Sequence, residues 1–372
     1  VLFIIYIQAV LEGLAAAFAD AGKAQHKPIF LTKADHVIHG RRHATKKGVT
    51  SVTAAESLYA DDALFMFISR LQLEEGVVII DRHFTAFGLQ VHRGRPGKRS
   101  KTECMFFPAP GACYEDADTS NVAVDNGYYT FTKMFKYLGS IITSDLKADE
   151  DVATRIRSAT GAFNMMRHVL RSRHVNSKEK AKIYDVIVGS VLLYGSECWA
   201  MRADLLRKLE RFHSQCVRTM CGVTRRQQWL KHIRNSTLRK RLGLETIEEM
   251  IATRNLRWAG HVARMPLSRL PRALLTGWVG HPRPDGRPQQ TFGHALKKNL
   301  RLRARQLRAC PADSGPFSYN IGDTVHYVSY QALADWLCRT ASGRFDKTWL
   351  DAAQHRQLWA FITYKKFLLR QE

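Results

Sequence analysis

The sequence has no long apolar run. Its most hydrophobic stretch, the opening Val1–Ile7, is interrupted by Gln8 and Glu12. It is too short to span a bilayer and lacks the basic start of a secretory leader, so no membrane association is expected. Cysteine is sparse and unpatterned: seven residues, at 104, 113, 198, 216, 221, 310 and 338, in a chain of 372. An odd count at irregular spacing argues against a disulfide framework and fits a reducing compartment. The tightest grouping of metal-ligand types is His213, Cys216, Cys221 and His232. These fall on several faces of an expected helix, so buried or incidental cysteines outweigh a zinc site. No internal repeat is present. The chain opens on valine inside a helical pattern, which is expected of a piece of something longer.

Acidic residues are scarce in one region only. The whole chain carries 57 Lys plus Arg against 33 Asp plus Glu, a formal charge of +24. Residues 152–308 hold 33 of the basic side chains and 9 of the acidic ones, leaving 24 of each elsewhere. With 45% hydrophobic and 10% aromatic residues the chain is globular. Concentrated positive charge on a folded chain favours a polyanionic partner, most often nucleic acid.

What is present is organised around Ser57-Leu58-Tyr59-Ala60-Asp61-Asp62-Ala63-Leu64-Phe65-Met66-Phe67. Strand formers flank two adjacent carboxylates, which predicts a tight β-hairpin with the acids at its tip. Neighbouring carboxylates repel unless a cation neutralises them. Mg²⁺ suits such a pair, because it takes one or two carboxylates and fills its shell with water and phosphate. A solvated turn that happens to contain Asp-Asp is the plainer alternative. A second hairpin is expected around Gly139, within Phe131–Ile142, where aromatic and β-branched residues flank a glycine.

Helical spacing marks several other segments. Residues 1–22 read as one packed helix, and 70–87 as an amphipathic one with Leu73, Val77, Ile80, Phe84 and Phe87 on one side. A strand is expected near Cys104–Phe107. Residues 23–56 read as a polar surface connector and 108–127 as a turn-rich linker. Further helices are expected at Asp149–Val169, from Ser177 to Leu193, at Leu205–Met220, and at Leu242–Ile247 with Met250–Ala259. The proline-rich stretch 266–293 reads as loop, followed by a short basic helix, Leu296–Leu307, a break at 311–325, and a helix pair within 326–366. Trp199, Trp229 and Trp258 are expected in the core rather than stacked on bases.

The box Tyr59-Ala60-Asp61-Asp62 resembles the Tyr-x-Asp-Asp box of reverse transcriptases, and Phe135-Lys136-Tyr137-Leu138-Gly139 resembles their primer grip. The phrases Leu2–Ile7, Leu193-Tyr194-Gly195, Arg257-Trp258-Ala259-Gly260-His261 and Trp349–Trp359 resemble segments of non-LTR (LINE-type) retrotransposon enzymes. The resemblance covers most of the chain. It implies an α+β fold: a partial palm over 1–145 (antiparallel strands with packed helices), a helical basic thumb over 146–265, a basic linker with a short helix over 266–325, and a helical segment over 326–372. It implies Mg²⁺-dependent RNA-directed DNA synthesis on an RNA template and DNA primer, with a deoxynucleotide as substrate.

By the same resemblance Asp61 and Asp62 are catalytic and hold the metal, and Tyr59 and Ala60 lie by the primer end. Lys101 lies near the incoming nucleotide. Phe135, Tyr137, Leu138 and Gly139 grip the primer. Arg155, Arg167, Arg171 and Arg257 are assigned to nucleic-acid backbone. An intracellular protein with nuclear access is implied. The loop before the first helix, the family's first carboxylate strand, its fingers and an endonuclease domain have no counterpart; Asp35 and Asp81 sit in the wrong context to substitute. Two readings therefore stay open: a polymerase fragment inactive by itself, and a non-catalytic nucleic-acid-binding remnant of a decayed element.

Overall fold

A computed structural model describes residues 2–23, 29–32, 50–53, 56–60, 62–108, 119–275, 277–278, 292–310, 316–321, 323–342 and 348–363. The architecture is mixed α+β, mostly helical, with small, largely antiparallel sheets. Among the described residues no helix is long and apolar enough to cross a membrane.

Helix α1, Leu2–Asp20, buries Ile7, Val10, Leu14 and Phe18 at spacings of three and four. Strands β1 (Ile29–Thr32) and β2 (Thr50–Thr53) pair antiparallel within the stretch expected to be a polar connector. Short β-branched runs hidden between basic residues gave no alternation long enough to detect. Strands β3 (Glu56–Tyr59) and β4 (Asp62–Phe65) form the first expected hairpin. Helix α2, Arg70–Ala86, is N-capped by Ser69, whose side chain accepts from the Gln72 N–H. It packs on α1 through Ile80 and Phe84. Phe87, expected on the buried side, instead follows the helix end and stays 41% exposed.

Strand β5 is only Glu103–Cys104, shorter than expected; β6 (Val122–Val124) and β7 (Gly127–Phe131) complete a sheet of order β5-β7-β6. The second expected hairpin is β8 (Met134–Tyr137) with β9 (Ser140–Thr143). On the side of α2 that faces β7 sits Asp81, 3% exposed. It is held by Arg93 and by the Tyr129 hydroxyl, which donates to Oδ1 at 3.0 Å. Burial pushes the Tyr129 hydroxyl pKa up. Both Asp81 oxygens are taken by these partners, so Asp81 is a charge-paired structural anchor.

The helical region follows: α3 (Asp149–Met165), α4 (Arg167–Arg171), α5 (Ser177–Ile183), a π-helical turn (Tyr184–Gly189) and α6 (Ser190–Leu192). Then come a 3₁₀ turn (Ser196–Cys198), α7 (Ala203–Met220), α8 (Arg225–Leu230), α9 (Asn235–Leu242) and α10 (Ile247–Ala263). Helix α7 buries Leu205, Leu209, Cys216 and Met220 as its spacing predicts. The expected helix at 242–247 is instead a turn, because Gly243 takes a left-handed C-cap (φ 69°) and Thr246 opens α10 with a capping box to Glu249.

The remaining elements are α11 (Leu270–Leu275), β10 (Gly277–Trp278), α12 (Phe292–Arg308), β11 (Phe317–Ile321), β12 (Thr324–Val328), α13 (Tyr330–Ser342), α14 (Thr348–Gln354) and α15 (Arg356–Thr363). Two expectations fail here. The proline-rich loop contains α11, whose Pro271 sits in the first turn, where a missing N–H costs little. The expected break at 311–325 holds the hairpin β11–β12.

The two larger apolar cores meet in one helix. Ile247 and Ile251 of α10 belong to the core built on α3, α5, α7 and α9. Leu256, Ala259, Val262 and Ala263 of the same helix belong to the core built on α12 to α15.

The first core contains a buried His213, 0% exposed. Its Nδ1 lies 2.8 Å from the Tyr184 hydroxyl and its Nε2 lies 3.1 Å from the Glu245 carbonyl. A carbonyl only accepts, so Nε2 carries the proton and Nδ1 accepts from Tyr184. Burial, aided by Arg239, holds the His213 pKa down at about 4. An unfolded histidine titrates near 6.5. The unfolded chain therefore takes up this proton first as pH falls. The His213 contribution is complete above about pH 6.5 and is lost progressively toward pH 4. Between pH 7 and pH 5 it amounts to about 2 kcal/mol. Urea titrations at both pH values should show His213→Gln flattening that loss; an equal fall in both proteins would count against the assignment.

Candidate nucleic-acid site

The first hairpin presents a short polar tip. Tyr59 pairs across to Asp62, so the connection between β3 and β4 is tight and begins at Ala60. Ala60 is left-handed, φ 53°, as tight hairpin loops require. Asp61 itself lies outside the described residues. Asp62 is exposed, and Tyr59, beside it, is 63% exposed. Beneath the tip, Phe65 meets Phe84 edge to face at 6.1 Å, and Phe67 seats on Gly76, where any Cβ would collide with its ring. The hairpin is thus anchored on α2 by its base, with Tyr59 and Asp62 exposed at its tip.

The second hairpin turns on Leu138 and Gly139, both with positive φ (48° and 85°), the signature of a type I′ turn. The Phe135 and Tyr137 rings stack along one face at 6.3 Å. This turn is bound tightly to the helical region. Arg155 of α3 donates to the Gly139 carbonyl at 2.6 Å and to Ser140 Oγ at 3.3 Å. The Tyr194 hydroxyl donates to the Leu138 carbonyl at 2.9 Å, and the Arg155 guanidinium lies 4.4 Å above the Tyr194 ring. Asp151, 3% exposed, accepts from the Ile141 N–H at 3.1 Å and from Trp199 Nε1 at 2.8 Å, and pairs with Arg155 at 3.5 Å. Gly195 closes the set. Its φ is 73°, and a Cβ there would stand 2.7 Å from Ser140 Oγ.

Of the expected site residues, Leu138, Gly139 and Arg155 are brought together. Arg155, expected on nucleic-acid backbone, directs its guanidinium into the chain with a side chain 12% exposed. Arg167 and Arg171 on α4 and Arg257 on α10 are exposed. Lys101 is exposed on a loop whose backbone N–H is taken by His92 Nδ1 at 3.0 Å. A shallow cleft of about 490 Å³ between the end of α1 and α2 is lined by Lys23, Leu71, Glu75 and Ile79 among others, and by none of the expected site residues.

Sequence reading missed Asp151, one of three acids in the first turn of α3. It also misplaced Trp229. Trp199 is 7% exposed and Trp258 packs against Phe292, but Trp229 is 74% exposed. The His213–Cys216 grouping is no metal centre: His213 is consumed by Tyr184 and Glu245, and burial pushes the Cys216 thiol up to about 12. Among the described residues no three of His, Cys, Asp and Glu gather where they could hold a metal.

No protein-family model matches the chain, and no solved structure matches it. Over 218 residues it is 26% identical to a protein of Caenorhabditis elegans named as an uncharacterized transposon-derived protein, a match spanning 58% of this chain and 74% of the other. That likeness supports a transposon-related origin for the chain.

Proposed function

We infer that the chain is the palm-and-thumb part of an RNA-directed DNA polymerase of a non-LTR retrotransposon. The observation that carries this reading is the pairing of two box sequences with two hairpins. Tyr59, Ala60 and Asp62 lie at the tip of one hairpin, and Leu138-Gly139 forms the turn of the next, which is fastened to a basic helical region. A transposon-related origin is consistent with it.

The donor chemistry at the first tip fits magnesium. Asp62 offers hard oxygens on an exposed turn beside a second carboxylate in sequence, and Mg²⁺ needs few protein ligands when phosphate and water complete its shell. Bound there, the ion would neutralise phosphate charge during attack of a primer 3′-hydroxyl on a deoxynucleotide. The chain's own residues do the rest. Tyr59 offers an exposed ring beside the acids for the primer terminus. The latched turn at Leu138 and Gly139 supplies a rigid backbone edge against which a strand can be held. The arginines of the helical region neutralise phosphates and fix register without reading sequence.

Primer extension on poly(A)–oligo(dT) with Mg²⁺ or Mn²⁺ tests this. Synthesis by the isolated chain is expected to be weak, and Asp62→Ala should abolish whatever is measured while primer–template affinity changes less than twofold. Synthesis that survives Asp62→Ala would overturn the polymerase assignment. Binding without synthesis in the parent chain fits both a polymerase fragment inactive by itself and a non-catalytic remnant. In either case the logarithm of affinity should fall steeply and linearly with the logarithm of salt, because phosphate contacts release counterions.

A further inference from the structure

The helix α8 is built unlike its neighbours. None of its six residues is buried. It is nevertheless held rigidly by polar caps. Thr224 and Gln227 form a capping box, and Gln228 Nε2 donates to the Ile233 carbonyl at 3.0 Å and to Asn235 Oδ1 at 2.6 Å. His232 is left-handed, φ 49°, and reverses the chain into α9. This scaffolding presents Trp229 and Leu230 outward, 74% and 56% exposed. Single exposed apolar residues are common, but a tryptophan on a rigid helix that contributes nothing to the core is not explained by packing.

Its surroundings carry one sign of charge. Between Glu210 and Glu245 the sequence contains no Asp or Glu and nine Lys or Arg. Arg225, Arg226, Lys231 and Arg234 flank Trp229 in sequence, and all four are exposed. A flat aromatic face set among cations matches a strand that offers phosphates and unpaired bases together. A duplex keeps its base faces stacked and can use only the cations. Two exposed apolar residues are too little apolar surface to anchor a helix in a bilayer.

We propose that α8 is a docking surface for single-stranded nucleic acid, with Trp229 stacking on an unpaired base while Arg225, Arg226, Lys231 and Arg234 neutralise the adjoining phosphates. The surface lies away from both hairpin turns in sequence and uses none of their residues. It rests on the polymerase reading only for the class of partner.

The test uses the full chain and fluorescence anisotropy with labelled 20-nucleotide oligo(dT) and oligo(U), and with a 20-base-pair duplex of the same label. Trp229→Ala should weaken single-strand binding about tenfold and leave duplex binding within twofold. Trp229→Phe should restore most of the loss. Arg225→Ala with Arg226→Ala should lower the single-strand salt slope by about 1.5. Circular dichroism melts confirm that each variant folds, which the absence of buried residues in α8 leads one to expect. Unchanged single-strand affinity in Trp229→Ala would overturn the proposal. So would an equal loss for duplex and single strand, or binding of anionic vesicles in place of oligonucleotides by the Trp229 surface. Because single-strand affinity is read apart from primer extension, failure here leaves the polymerase assignment standing, and failure there leaves this surface standing.

Discussion

Asp151→Ala should lower unfolding free energy by about 4 kcal/mol, the cost of stripping a buried charge of its partner. The carboxylate is 3% exposed and accepts two hydrogen bonds, from the Ile141 N–H and from Trp199 Nε1. It also faces Arg155, whose side chain is only 12% exposed. Alanine leaves two buried donors unanswered and a guanidinium deprived of its counter-charge. The damage should extend to the second hairpin, because the same arginine carries the Gly139 carbonyl and Ser140 Oγ. Urea denaturation gives the stability change. A double-mutant cycle with Arg155→Met should show strong coupling, since with both charges gone the penalty of the orphaned one disappears. A loss under 1 kcal/mol, or simple additivity, would show that the cluster is not the fastening described.

Gly260→Ala should destabilise by about 2 kcal/mol, opposite in sign to helix propensity. In an open helix that change gains about 1 kcal/mol. Here a Cβ would fall within the Trp359 indole. Trp359 is 2% exposed and donates from Nε1 to the Leu256 carbonyl at 2.8 Å, so it cannot swing aside without abandoning that carbonyl. The buried Trp349 ring packs beside it, centroids 6.0 Å apart. Overpacking of this kind costs 1–3 kcal/mol and sometimes more. Gly260→Val should exceed the alanine effect and expose the 348–363 region to protease. Combining Gly260→Ala with Trp359→Ala should cost less than the two added together, because the collision needs both. A neutral or stabilising Gly260→Ala would refute the seat.

What the sequence made readable was local. Runs of strand formers announced both hairpins, one flanking Asp61-Asp62 and the other flanking Gly139. The stripe on α7 was equally plain. The phrases Leu193-Tyr194-Gly195 and Arg257–His261 could be recognised by likeness, but their physical roles could not. Tyr194 acts on a carbonyl 56 positions upstream, and Gly260 receives a tryptophan 99 positions downstream. No window of local spacing contains such partners. The hairpin β11–β12 escaped because the turn residues before it read as loop. Trp229 escaped because composition cannot say which tryptophan a fold leaves outside. At the candidate catalytic tip, the acids were legible as a pair and the surrounding ring contacts were not.

Helix α10 has a mechanical implication. It is 17 residues long, about 25 Å from end to end, and each half is rooted in a different oily interior. A rod gripped at both ends cannot twist in one grip without shearing the other. Load placed on the arginine-rich bundle would therefore be felt at Trp359, and the region from α3 to α15 should melt as one event and not as two.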